Sequence, residues 1–203
     1  MRKTELFKKY LELNDAYSNL QKEHQNLESF IEWLNKCAFQ HHLQFCGLRK
    51  VSGIRGETHY IGFLLKSKHY MQPGRTYKFR INGYMDFNRA LANPDFYVNL
   101  QQELSEVPYW IENQLILRNL EIPNVNYRGK GIGSAGISMI KEIAKQLHCT
   151  KICAKRFPLG NQDPDLLWKF YDKSGFSQNA DNDLINFRMS DYIPDPSDII
   201  FFD

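Results

Sequence analysis

The chain has 203 residues and 23.9 kDa, with 42% hydrophobic and 24% charged residues; that is room for one ordinary domain plus an appendage, and the balance excludes wholesale disorder, collagen-like repeats and a membrane-embedded chain. A formal net charge of +3 gives no global field for a polyanion, so neither nucleic acid nor a membrane surface is an expected partner. Locally the balance differs: from Glu121 to Gly160 seven Lys/Arg stand against two acids, while after Arg188 four Asp and no Lys or Arg form an acidic tail. No run approaches the roughly 18 apolar residues of a membrane helix, and MRKTELFKKYLEL lacks the apolar core of a secretory signal. A cytoplasmic location with four reduced cysteines is expected.

The first element in chain order is the most periodic. Leu6, Tyr10, Leu13, Tyr17, Leu20, His24, Leu27, Ile31 and Leu34 alternate steps of four and three, the 3.5-residue repeat that keeps one seam facing a partner. Six basic and six acidic residues through Lys36 cancel, so this is no basic nucleic-acid arm. A helix reaching Ala38 would be about 50 Å long, as a helical extension over residues 1–45 ahead of a domain over 46–203. Two readings stay open: a coiled-coil seam between two chains, making a homodimer, or an amphipathic helix folded back on its own core. Cys37, His41, His42 and Cys46 match no familiar zinc spacing, and no metal is expected.

After Gly47 the pattern turns to short strand-like runs. Residues 60–65 and 76–81, separated by a Gln72-Pro73-Gly74 turn, read as neighbouring antiparallel strands. Residues 94–104 read as a short helix, with Asn93 as cap and Pro94 at the first helical position. Residues 112–122 form a longer strand that ends at Pro123.

Then comes Tyr127-Arg128-Gly129-Lys130-Gly131-Ile132-Gly133-Ser134, a loop rich in glycine and positive charge that opens into a helix through Leu147. Its expected inner face is Ile132, Gly136, Met139, Ile140, Ile143 and Leu147. Glycines let the backbone approach a ligand, and the helix start adds unpaired N–H donors and the positive end of the dipole, a combination suited to a phosphate or diphosphate. Gly131 to Gly136 also satisfies the dinucleotide fingerprint G-x-G-x-x-G, but no apolar strand runs straight into Gly131. No acidic residue follows at the ribose distance, and fewer than 70 residues remain for a second half.

Downstream, residues 151–157 read as a strand, and Asp163-Pro164 cap and start a helix that Gly175 ends. Here the chain resembles the GNAT superfamily of acyl-CoA-dependent N-acyltransferases. That family's diphosphate motif R/Q-x-x-G-x-G/A stands as Arg128-Gly129-Lys130-Gly131-Ile132-Gly133, and its later Φ-Y-x-K-x-G-F stretch as Phe170-Tyr171-Asp172-Lys173-Ser174-Gly175-Phe176. The resemblance covers residues 110–176. It departs where the family often has Asn seven residues before the motif tyrosine and this chain has Pro164, so that the contact is either lost or taken by Asn161, and where the connection from Pro123 to Arg128 is a residue or two long.

The resemblance implies an α+β fold, a splayed, mostly antiparallel twisted sheet flanked by helices and preceded by the long helix. It implies acetyl-CoA as cosubstrate, with the diphosphate on Arg128, Gly129, Lys130, Gly131, Ile132, Gly133 and Ser134. Backbone near Leu120 and Ile122 would pair with the pantetheine arm. Tyr171 is the expected proton donor to the leaving thiolate, its alternative role being a core tyrosine with its hydroxyl at the rim. Glu121 is the expected base, with a water chain as the alternative. Tyr84, Phe87, Phe96, Tyr97, Tyr109 and Trp110 would line an acceptor pocket or belong simply to the core. Three functions follow: an N-acetyltransferase acting on a small-molecule or protein amine, a non-catalytic acyl-CoA-binding module that assembles through its first helix, and an NADP- or nucleotide-binding protein.

Overall fold

The computed structural model describes residues 3–54, 57–68, 76–107, 110–155, 163–178 and 184–194. The Gln72-Pro73-Gly74 turn, Tyr109, Arg156, Phe157, Asn161 and most of the acidic tail lie outside them. In chain order the elements are α1 (Lys3–His41), β1 (Gln44–Ile54), β2 (Glu57–Lys68), β3 (Thr76–Met85), β4 (Phe96–Val107), β5 (Trp110–Glu121), α2 (Ile132–Gln146), β6 (Lys151–Lys155), α3 (Pro164–Lys173), β7 (Ser177–Gln178) and β8 (Leu184–Arg188). The strands make one sheet in the order β1-β2-β3-β4-β5-β6-β8-β7. Only β5 and β6 run parallel; the other pairs are antiparallel. The architecture is the mixed α+β one expected from sequence.

Strand alternation sends neighbouring side chains to opposite faces, and the two faces carry separate cores. Phe63, Ile81, Phe96, Val98, Leu115 and the buried side of α2 form the larger one. Leu48, Leu64 and Tyr84 meet Phe30, Leu34 and Cys37 of α1 in the smaller. The sheet therefore lies between α2 on one side and the last third of α1 on the other. Both contacts are very close. A Cβ on Gly62 would sit 2.2 Å from Leu34 Cδ1, and one on Gly136 would sit 2.3 Å from Phe96 Cζ.

Phe96 is fully buried, so its ring has nowhere to retreat. Gly136→Ala is expected to destabilise the fold by about 1–3 kcal/mol through overpacking, despite the roughly 1 kcal/mol that alanine adds to a helix interior. Phe96→Leu in the same chain should recover part of that loss. Denaturant titration of the two single variants and the double variant checks the coupling.

The expected helix over residues 94–104 is instead β4. Phe96, Val98 and Leu100 are buried while Tyr97, Asn99 and Gln101 are not, a period of two. Both edges of the strand are filled, by β3 and β5. Asp95 and its neighbours hold the entry to the strand: its carboxylate accepts from the Met85 and Asn88 nitrogens at 2.9 Å each.

The last third of helix α1 folds back on the chain's own core. Leu34 is fully buried and Leu27 and Ile31 pack against the smaller core. Leu6, Tyr10, Leu13, Tyr17 and Leu20 are 56–71% exposed. Cys37 and Cys46 belong to cores on opposite faces of the sheet, and among the described residues no group of three or more His, Cys, Asp or Glu is placed to hold a metal. Among the same residues no helix is long and apolar enough to cross a membrane.

Candidate active site

Strand β5 organises the site. It pairs with β6 only from Gln114↔Lys151 to Leu117↔Ala154 among the described residues, yet continues to Glu121 alongside β4. The register on the β4 side shifts at the same point: Leu100 faces Leu117 but Asn99 faces Asn119, which leaves Arg118 as an extra residue. A bulge sharpens local twist and bends the strand that carries it. The bulge falls where the described β6 pairing stops, just before residues 119–121.

Beyond β5 the chain makes a short 3-10 turn, Val125–Tyr127, capped by the Asn124 side chain. Arg128 then donates its Nε–H back to the Ile122 carbonyl at 3.3 Å. That bond closes the connection into a ring and occupies one of the backbone groups expected to meet a pantetheine arm. Gly129 and Gly131 both have left-handed backbones, φ +73° and +88°, a conformation that a Cβ disfavours.

Gly131 is the N-cap of α2 and supplies no side chain to it. The first bond into the helix is Ala135 N–H to the Gly131 carbonyl at 2.9 Å, and the Lys130 amide is taken by the Tyr127 carbonyl at 3.4 Å. Among the described residues, the amides of Gly131, Ile132, Gly133 and Ser134 have no backbone acceptor. Four donors in succession at the positive end of a 15-residue helix can hold an anion. Lys130 contributes positive charge and an exposed side chain, but not its amide.

The second motif is a helix-ending device. The Phe176 amide donates to the Tyr171 carbonyl at 3.0 Å and the Gly175 amide to Asp172 at 2.8 Å, with Gly175 at φ +81°. This is the Schellman pattern, and its usual apolar contact is present as the Tyr171 and Phe176 rings, 5.2 Å apart. Lys141 of α2 fastens the same turn. Its ammonium donates to the Ser174 carbonyl at 2.7 Å and lies 3.7 Å from the Phe187 ring centre, and burial pushes its pKa down.

The two motifs meet. A Cβ on Gly133 would lie 3.0 Å from Phe170 Cε2 and 3.6 Å from Ile122 Cδ1, so the first turn of α2, the end of β5 and α3 converge on one glycine. Tyr171, beside Phe170, is 5% exposed and belongs to the larger core. Burial pushes its phenol up to about 12.

Glu121 falls on the other face. Leu120 and Ile122 pack against the larger core, so the alternating Glu121 points away from it. Its carboxylate accepts a hydrogen bond from the Tyr97 hydroxyl, directly across on β4, and that bond is the main reason the Tyr97 phenol is pushed up. The Arg80 guanidinium covers the Tyr97 ring at 4.6 Å and donates to Asn82 Oδ1 at 3.0 Å. Sequence reasoning missed Tyr97 as the partner of Glu121 because β4 reads as a helix; the alternation from Phe96 to Gln101 is the available signal.

The aromatic cluster does not form one pocket. Tyr84 is buried under α1, donating to the Leu91 carbonyl at 3.0 Å, and Phe96 is buried on the opposite face. Phe87 stacks edge-on with His59 and with Tyr127. His59 is itself 3.1 Å from Asp86, which also accepts the Tyr60 amide.

No family model matches the chain, and no curated protein does. Solved structures do resemble it. The anti-CRISPR protein AcrVA5 is 19% identical with a TM-score of 0.34, over 44% of this chain and 88% of that one. A mutant of the toxin AtaT bound to the C-terminus of the antitoxin AtaR and acetyl-CoA is 11% identical with a TM-score of 0.41, over 56% and 68%. The same mutant with the antitoxin C-terminus is 9% identical with a TM-score of 0.39, over 63% and 94%. At these identities and scores the likeness brings no function across, so chemistry must come from this chain's own residues.

Proposed function

We propose that the chain is an N-acetyltransferase that moves an acetyl group from acetyl-CoA to a primary amine, on a small molecule or a protein, by direct attack in a ternary complex. One observation carries the reading: four successive amides without a backbone acceptor, Gly131 to Ser134, begin α2 beside the point where Gly133, Ile122 and Phe170 converge. A diphosphate fits that donor row, and the arm attached to it would run along the free edge of β5.

Glu121 points away from the larger core and Tyr171 belongs to it, so in this reading the acetyl group lies between the two. The amine comes from the Glu121 side, and its nitrogen bonds to the acetyl carbonyl carbon. The nitrogen loses a proton to Glu121, directly or through water. The carbon–sulfur bond breaks, and the departing thiolate takes a proton from Tyr171. The extra backbone at the Arg118 bulge is the nearest source of an amide for the carbonyl oxygen.

The Tyr97 hydroxyl holds the Glu121 carboxylate in place, and Arg80 packs over the Tyr97 ring. A non-catalytic acyl-CoA-binding module that assembles through α1 is the second reading, favoured by the exposed first half of that helix.

Thiol release from acetyl-CoA across a panel of amines tests the proposal. Amine-dependent release is the expected result. Binding of acetyl-CoA with no release for any amine supports the second reading, and thermal stabilisation by NADPH alone defeats both. Glu121→Gln should slow release about a hundredfold near pH 7, with the deficit shrinking as pH rises past about 10.4, where an alkylammonium is half deprotonated. A deficit independent of pH removes Glu121 as the base.

A further inference from the structure

Seven large apolar side chains in the first half of α1, including Leu6, Tyr10, Leu13, Tyr17 and Leu20, are at least 45% exposed. They continue, in the same alternating steps, the row whose end is sealed against the sheet by Leu34. A surface groove on this stretch is lined by Tyr10, Leu13, Asn14, Ala16, Tyr17 and Leu20. Most helical stability in water comes from packing an apolar face, and a continuous exposed apolar stripe marks an interaction surface. The same row that folds back at one end is open at the other.

We propose that residues 3–27 of α1 pair with the same residues of a second copy of this chain, antiparallel, about a two-fold axis near Asp15. The side-chain sequence selects this arrangement. Tyr10, Tyr17 and His24 occupy one seam position of the heptad, and Leu6, Leu13, Leu20 and Leu27 the other.

A parallel pair would stack like on like, Tyr10 on Tyr10 and His24 on His24, and would set Glu23 beside Glu28 of the second copy, a like-charge contact. In the antiparallel pair every aromatic ring meets a leucine: Tyr10 with Leu20, Tyr17 with Leu13, His24 with Leu6. Lys9 then faces Glu23 of the second copy at both ends, and Ala16 faces Ala16 at the centre, where small side chains let the helices approach.

The register is bounded by the fold. With Asp15 central, the N-terminal end of one helix reaches residue 27 of the other, where that helix meets its own domain. One heptad further would set residue 3 against Leu34, which is fully buried. One heptad less would lose both the His24 layer and the Lys9–Glu23 contacts. Phe7, Tyr10 and Tyr17 from the two copies, at roughly 150 Å² apiece, bring the contact close to the roughly 1,000 Å² that a specific interface needs, and the leucines add to it. This association is independent of acetyl transfer.

Sedimentation equilibrium of the full chain tests it, with circular dichroism to confirm that each variant is folded; the substituted positions are on exposed α1 surface. The wild-type chain should be a dimer at micromolar concentration, and Leu13→Glu should weaken association more than about a hundredfold. Glu23→Lys should weaken it about tenfold, and Lys9→Glu combined with Glu23→Lys should restore it. A monomeric wild type overturns the proposal, including the case in which the surface serves a different protein. Tighter association of Glu23→Lys overturns the antiparallel arrangement, because only a parallel pair sets Glu23 beside Glu28.

Discussion

Gly131→Asp should raise the dissociation constant for coenzyme A about a hundredfold relative to Gly131→Asn. Gly131 sits at φ +88° as the cap of α2, and Asn and Asp are the side chains that best tolerate that backbone. The two variants therefore share nearly the same conformational cost and shape, and differ in one negative charge set beside four amides without a backbone acceptor. Hydrogen bonds to a charged group are each worth roughly 1.5–3 kcal/mol. A carboxylate that occupies or repels the anion site removes at least one of them, which gives the hundredfold figure. Calorimetry of both variants with coenzyme A decides it, with thermal unfolding as the control that they are equally folded. Equal affinity of Asp and Asn variants would move the anion site elsewhere.

The other large effect belongs to Tyr171→Phe, which should lower kcat about a hundredfold to ten-thousandfold while leaving the affinity for acetyl-CoA within a few fold. The ring keeps its place, since its 5.2 Å contacts with Phe170 and Phe176 do not involve the hydroxyl. Burial holds the phenol at about 12, so the wild-type donor stays protonated and the rate should show no falling limb up to about pH 10.

The same shift has a stability consequence with a definite sign. Because the folded phenol is raised above the roughly 10 of an unfolded tyrosine, the stabilisation tied to its neutral form is complete below about pH 10 and is lost as pH rises toward 12. Tyr171→Phe should flatten the alkaline loss of melting temperature in that window. If turnover is unchanged while the alkaline transition flattens, Tyr171 is a core residue and not the acid.

What the sequence made legible was local. Gly131 at a left-handed cap, Asp163 capping α3 and Gly175 ending it each act within a few residues, so their identities are enough to place the start of α2 and both ends of α3. Strand β4 was misread because Asn93-Pro94 is a genuine local helix-start signal, overridden by pairing on both edges with β3 and β5. Such pairing is set by residues far along the chain.

Glu121 is placed by its strand end, but Tyr97 becomes its partner, and Arg80 the cover of the Tyr97 ring, only once β3, β4 and β5 are in register. The row along α1 was visible throughout. Which part of it is covered depends on Gly62 and Leu64 lying under Leu34, a tertiary fact without a local signature. Tyr84 and Phe96 fall in different cores because alternate strand positions face opposite ways.

The most direct test of the diphosphate site is titration of the ¹⁵N-labelled full chain with coenzyme A, following each backbone amide by NMR. The amides of Gly131, Ile132, Gly133 and Ser134 should show the largest shifts in the protein, with Gly129 moving less. Saturable binding that leaves those four resonances in place would contradict the site and, with it, the acyl-transfer reading.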